Sequence, residues 1–166
     1  MRSDFVDKDI LAHVLYALTY ENRLACKVAI ETGLRITDVL ALPVSALNKT
    51  AFTVIEGKTG KKRRIRLTEQ LRKELRTIAG ERFIFEHRTD PERHRTRQAV
   101  YNDIKRAAKL FRVKQNLTPH SIRKLYAVES YRKTGSLENV RKLLNHDSIE
   151  VTLLYALADE LTKRKR

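Results

Sequence analysis

Cysteine is nearly absent from the chain. Cys26 is the single thiol among 166 residues, so no internal disulfide forms and no cysteine cluster offers a zinc site, a composition that fits a reducing compartment. Long apolar runs are missing too: no uninterrupted hydrophobic stretch approaches the roughly 18 residues of a membrane span, and Met1, Arg2, Ser3 and Asp4 lead into no secretory-signal core. Internal repeats and low-complexity linkers are also lacking. Acidic side chains are in the minority, 20 against 35 Lys plus Arg, which leaves a formal charge of +15.

The residues that are present describe a folded polycation. A hydrophobic fraction of 42% with 7% aromatics offers enough apolar surface to offset the ordering entropy of a globule, which a disordered basic tail could not do. The length suits one domain with a core of its own. Surface charge of this size points first to nucleic acid, ahead of an anionic membrane or an acidic protein. The charge is unevenly spread: residues 1–34 are net −1, residues 58–66 are +6, residues 86–114 are +5, residues 120–142 are +4, the terminal KRKR is +4, and residues 143–162 are −4. Several separate basic segments suit a concave surface that tracks a phosphate backbone.

Periodicity predicts a mainly helical α+β fold. Asp7 with Ile10, Val14, Leu15 and Leu18 marks a first helix; Leu24, Val28 and Ala29 mark a second, closed by Gly33. Thr37 is the expected N-cap of a short helix that Pro43 stops. Residues 51–56 and 62–67 are β-branched runs around Gly57 and Gly60, a hairpin with a basic tip. Thr68 caps the next helix, Phe83, Ile84 and Phe85 are expected as a third strand, and residues 86–96 read as a loop. Thr96, Thr118 with Pro119, Ser136 and Ser148 start the remaining helices. The expected architecture is one helical domain with an inserted hairpin or three-stranded sheet.

Chemistry-bearing residues recur at telling intervals. Arg35 follows Thr32, Gly33 and Leu34 at a helix-to-helix turn; Lys58 is at the hairpin tip; His120 and Arg123 share a face at a helix start; His146 lies 23 residues beyond Arg123, and Tyr155 nine beyond His146. A second His-x-x-Arg pair, His94 and Arg97, precedes a helix without further company and is set aside as a coincidence. The segments TGLRITDVLAL (32–42), EGKTGKKRRIRL (56–67), TPHSIRKLYA (118–127) and LLNHDSIEVTLLY (143–155) together resemble the catalytic domain of the tyrosine recombinases, the phage integrase family. The resemblance covers about the whole chain, and the joint pattern is far more specific than any piece of it.

That resemblance implies an enzyme that cuts and rejoins DNA through a 3′-phosphotyrosyl intermediate without metal or ATP, and the residue types agree with it. Cleaving a phosphodiester needs a nucleophile, cations on the non-bridging oxygens and an acid for the leaving 5′ oxygen. Arg35 and Arg123 present planar forks suited to phosphate oxygens. Tyr155 is the expected nucleophile: Ile149, Leu153, Leu154, Leu157 and Leu161 form one stripe of the last helix, and Tyr155 falls roughly opposite. By the resemblance Lys58 is the general acid, with Lys61 and Lys62 as neighbouring competitors, and His120 and His146 bond phosphate oxygens and help deprotonate the tyrosine. Asp38, three after Arg35, matches a supporting acidic position. Lys61, Lys62, Arg63 and Arg64 are expected to contact DNA. No cofactor and no metal site are expected.

The chain departs from the family pattern at Asn145, where glycine is common, and at Lys124, where histidine is often seen. It is read as a single catalytic domain over 1–166, with the usual N-terminal core-binding domain absent. The expected partner is double-stranded DNA carrying a recombination site, bound by four protomers on two duplexes, with a monomer compatible with the DNA-free state; no membrane is involved, and the expected location is the cytoplasm, on the nucleoid. Two other readings fit the same residues: a non-catalytic DNA-binding module of this fold and a type IB topoisomerase.

Overall fold

Helix starts fall where short oxygen-bearing side chains precede apolar periodicity. In a computed structural model that describes Asp4 and residues 6–144, α1 (Lys8–Tyr16) is capped by Asp7, whose carboxylate accepts the Asp9 N–H at 3.1 Å. Helix α2 (Tyr20–Thr32) ends at Gly33, at φ +67°. It is followed by α3 (Ile36–Leu40) and a 3₁₀ turn over Val44–Asn48. Strands β1 (Ala51–Ile55) and β2 (Lys62–Arg66) form the basic hairpin, and Thr68 caps α4 (Glu69–Arg76). A short second hairpin, β3 (Glu86–His87) and β4 (Asp90–His94), precedes α5 (Arg97–Leu110), α6 (Pro119–Thr134) and α7 (Leu137–Leu144).

Helix α2 is the hub, in contact with α1, α3, α4, α5 and α6. Leu24, Ala25, Cys26, Val28 and Ala29 from α2 are buried with Leu34, Val39, Leu40, Ile104, Leu117 and Ile122 in one continuous core. Each fully buried leucine in it contributes about 1.5–3 kcal/mol by leaving water. The first hairpin is antiparallel, with Phe52 opposite Ile65 and Val54 opposite Arg63. Period-2 alternation turns Phe52 and Val54 inward and leaves Thr53, Ile55, Lys62, Arg64 and Arg66 outside.

Three expectations are corrected. Residues 83–85 add no strand to the first sheet: Phe83 makes an isolated bridge to Pro43, the Ile84 N–H donates to the Leu42 carbonyl at 3.0 Å, and Ile84 and Phe85 go into the core. Residues 86–96 are not a plain loop but contain the β3–β4 hairpin. Its polar residues show no apolar alternation, because charge and backbone bonds hold it: Arg82 pairs with Glu92, and the Glu86 carboxylate accepts the Glu81 N–H at 2.7 Å. Helix α3 is capped by Arg35, not Thr37; the Arg35 carbonyl already accepts the N–H groups of Asp38 and Val39 at 2.9 and 3.0 Å. The helix expected after Ser148 lies outside the described residues.

Candidate active site

Three helix starts open onto one cleft. A cavity of about 260 Å³ is lined by Arg35, Ile36, Thr37, Lys58, Arg97, Pro119, His120 and Arg123. Ile36 begins α3, Arg97 begins α5, and Pro119 and His120 begin α6. The two long helices, α5 and α6, thus aim the positive ends of their dipoles into a space whose walls carry four cationic side chains and no acid among the described residues. Such a space favours an anion with several oxygens.

Local structure fixes each cation. Arg35 follows the left-handed turn at Gly33, where only glycine fits for two reasons: the positive φ, and the Tyr126 ring, which an added Cβ would meet at 2.4 Å. Tyr126 and Arg123 both come from α6, one turn apart, so the same helix face that packs on Gly33 carries the second arginine. Arg123 is only 3% exposed and donates to the carbonyls of Gly33 and Leu144, each at 2.6 Å. Burial, and after it the nearby Arg35 charge, lowers its pKa to about 10; it still carries its proton at neutral pH. The start of α6 is set by a capping box in which Thr118 Oγ1 accepts the His120 N–H at 3.1 Å and Ser121 Oγ accepts the Thr118 N–H at 3.3 Å.

Lys58 is exposed in the turn between β1 and β2. That turn is tied to α3, since the Gly57 N–H donates to Asp38 Oδ1 at 2.9 Å. Asp38 is buried and its other oxygen, Oδ2, has no hydrogen-bond partner. Arg35 itself is ion-paired with the fully buried Glu56.

Of the residues singled out by sequence, the fold brings Arg35, Lys58, His120 and Arg123 together from three distant segments, with Asp38 behind them. His146, Tyr155 and Asn145 lie outside the described residues. Lys62 and Arg64 are exposed along the hairpin, Lys61 is half-buried, and Lys124 is buried beside Arg123. Arg63 departs from the expectation of an outward DNA contact. Its guanidinium turns inward to Glu56, at 3.3 Å, and to the Thr32 carbonyl, because residue 63 shares the inward face of β2 with Ile65.

A family model described as the phage integrase family matches residues 4–161. The chain belongs to the phage integrase family. It is 30% identical over 139 residues to a probable integrase/recombinase, YoeC, of Bacillus subtilis (strain 168), which covers 81% of this chain and 76% of that protein. It is 28% identical over 162 residues to a tyrosine recombinase of Thermosipho africanus (strain TCF52B), matching 92% of this chain but only 56% of that relative's length. Among solved structures, a lambda integrase tetramer bound to a Holliday junction shares the fold with a TM-score of 0.74 at 23% identity, over 93% of this chain and 48% of that one.

Within this phage integrase domain, two residues of the site escaped the sequence reading. Arg97, set aside with His94 as a coincidental pair, lines the cleft, while His94 is structural: its ring stands edge-on to Phe83 with centroids 5.5 Å apart. Nothing in the local sequence separates the two, since only the packing of α5 against α3 and α6 brings residue 97 to the cleft. Glu56 had a signal. It continues the inward series Phe52, Val54, and a carboxylate on a core face requires a cation.

Proposed function

We propose that the chain is the catalytic domain of a site-specific DNA recombinase and that the cleft holds the scissile phosphate. The observation that carries this reading is the convergence of Arg35, Lys58, His120 and Arg123 on one small acid-free cavity. Arg35 and Arg123 bond the non-bridging oxygens and offset charge as it builds in the transition state. The phenol oxygen of Tyr155 attacks phosphorus; the new O–P bond forms as the bond to the 5′ oxygen breaks. One of His120 and His146 accepts the phenol proton while the other bonds a phosphate oxygen and helps position the phenol, and Lys58 protonates the departing 5′ oxygen. The 5′ hydroxyl of an incoming strand reverses the step, so the bond energy is retained and no ATP is consumed. Guanidinium groups fill the charge-stabilising role that a metal takes in other phosphoryl transfers.

The partner in this reading is double-stranded DNA, with Lys61, Lys62 and Arg64 on flanking phosphates and the whole of 1–166 acting as one catalytic unit in the cytoplasm. Four protomers on two duplexes follow the precedent of the lambda integrase tetramer. The test is a nicked duplex that carries the recombination site located from the repeats flanking the gene, incubated with the protein in EDTA. A denaturant-resistant protein–DNA adduct is expected with the native chain and none with Tyr155→Phe. Tight binding to that duplex without any adduct would overturn the proposal in favour of a non-catalytic DNA-binding module.

A further inference from the structure

Glu56 occupies a position that touches no solvent and joins two walls of the cleft. Its side chain is 0% exposed; Oε2 pairs with Arg35 and Oε1 lies 3.3 Å from Arg63 Nη1. The Glu56 main chain also closes the turn that carries Lys58. Its N–H donates to the Lys61 carbonyl at 3.0 Å, and its carbonyl accepts the N–H groups of Thr59 and Gly60 at 3.2 and 2.8 Å. One residue therefore holds a guanidinium at the start of α3 and the base of a lysine turn between β1 and β2, and both cations line the same cavity.

The charges around it give the arrangement a purpose. Arg35 and Arg63 disfavour the charge on Arg123, whereas Glu56 and Asp38 favour it. Three guanidiniums gathered without a carboxylate would repel one another and splay before any phosphate arrived. Arg63, half-buried and bonded to Glu56 and the Thr32 carbonyl, completes the clamp from the side away from the cleft.

We propose that Glu56 is a positioning residue for strand cleavage: its carboxylate holds Arg35 in register with the Lys58 turn, so that a non-bridging oxygen and the leaving oxygen are met by groups already in place. The proposal rests on the reading of the cleft as the phosphate site. Because Glu56 touches no DNA in this arrangement and carries the charge sign of the ligand, its removal is expected to slow chemistry without weakening binding.

The test uses the full chain with Glu56→Gln, which keeps the shape and removes the charge, and Glu56→Asp, which keeps the charge and shortens the reach. Single-turnover adduct formation on the nicked duplex, at saturating DNA, is expected to fall at least 30-fold in Glu56→Gln. Affinity for a 30-base-pair duplex, read by fluorescence anisotropy, is expected to stay the same or tighten. Glu56→Asp carries the same comparison if the Gln variant does not fold. Unchanged adduct rates in the folded variants, or a rate loss accounted for entirely by weaker binding, would overturn the proposal. Nitrogen-15 spectra of the arginine side chains separate it from the parent reading. If the native chain forms no adduct, the phosphate reading fails, yet the Arg35 Nη1 hydrogens, which donate to Glu56, should still lose their protection from exchange in Glu56→Gln if the clamp is real.

Discussion

Arg97 is the sharpest test at the scale of single residues, because its role differs in kind from that of Arg123. Arg123 is buried and bonded to two carbonyls, so its replacement would disturb the fold as well as the site. Arg97 is exposed at the first position of α5 and makes no ion pair among the described residues. Replacing it with alanine is therefore expected to leave thermal stability within about 0.5 kcal/mol. If Arg97 meets a phosphate, Arg97→Ala lowers the slope of log affinity against log salt by about 0.9, the counterion release of one contact. Anisotropy titrations of one duplex between 50 and 250 mM KCl measure that slope. An unchanged slope would place Arg97 at the cleft but off the backbone. The contrast with His94 explains the limit of the sequence at this scale. Both are polar residues beside a helix start, and only tertiary packing gives one of them neighbours.

Elements were legible where a local rule governs them. Asp7, Thr68, Thr96 and Thr118 cap helices as their residue type predicts, and Gly33 takes the left-handed turn. The β3–β4 hairpin was missed because nothing apolar alternates in it: it is held by its own backbone ladder and by charged groups within ten residues, Arg82 with Glu92 and Glu86 with the Glu81 N–H. How elements lock together is seen at Asp103 in α5, which fastens that helix to the start of α2. Its Oδ2 accepts the Thr19 N–H at 2.9 Å, the Thr19 hydroxyl at 3.0 Å and the Asn22 amide at 2.8 Å, while Arg106 holds Oδ1. Burial by itself would raise the Asp103 pKa, but hydrogen bonds from Asn22, Thr19 and Arg106 outweigh it and hold the group below the ordinary carboxylate value of 3.8. A carboxylate depressed in the folded state contributes stability that is fully present above its unfolded pKa and is lost as pH falls through the folded one. Thermal melts should therefore show Asp103→Asn about 1.5–3 kcal/mol less stable than the native chain at pH 7, the range for hydrogen bonds to a charged group. The gap should narrow steadily below pH about 4. A gap that stays constant to pH 2.5 would show that Asp103 acts through packing alone.

At the scale of the whole molecule, the sequence anticipated most of the cleft but not the hub. Net charge pointed to nucleic acid, and the spacing of Arg35, Lys58, His120 and Arg123 anticipated residues that the fold assembles from three segments. The centrality of α2 depends on the angles at which five helices cross it, which no local periodicity encodes. Cys26 reports on that hub. Its side chain is fully buried in the middle of α2, and burial, reinforced by the Asp103 charge, pushes the thiol pKa far above its usual value. The reactive thiolate is doubly suppressed. Cys26 is 0% exposed in a helix that five others contact, so the thiol is expected to be released only when the packing around α2 is lost as a unit. A pulse of iodoacetamide applied across a urea titration is thus expected to label Cys26 along the same transition that far-ultraviolet circular dichroism follows, with no labelling in native buffer. Labelling that runs ahead of the loss of helix would mean that α2 opens locally, and the cleft built on its C-terminal turn would then be a separable unit and not an extension of the core.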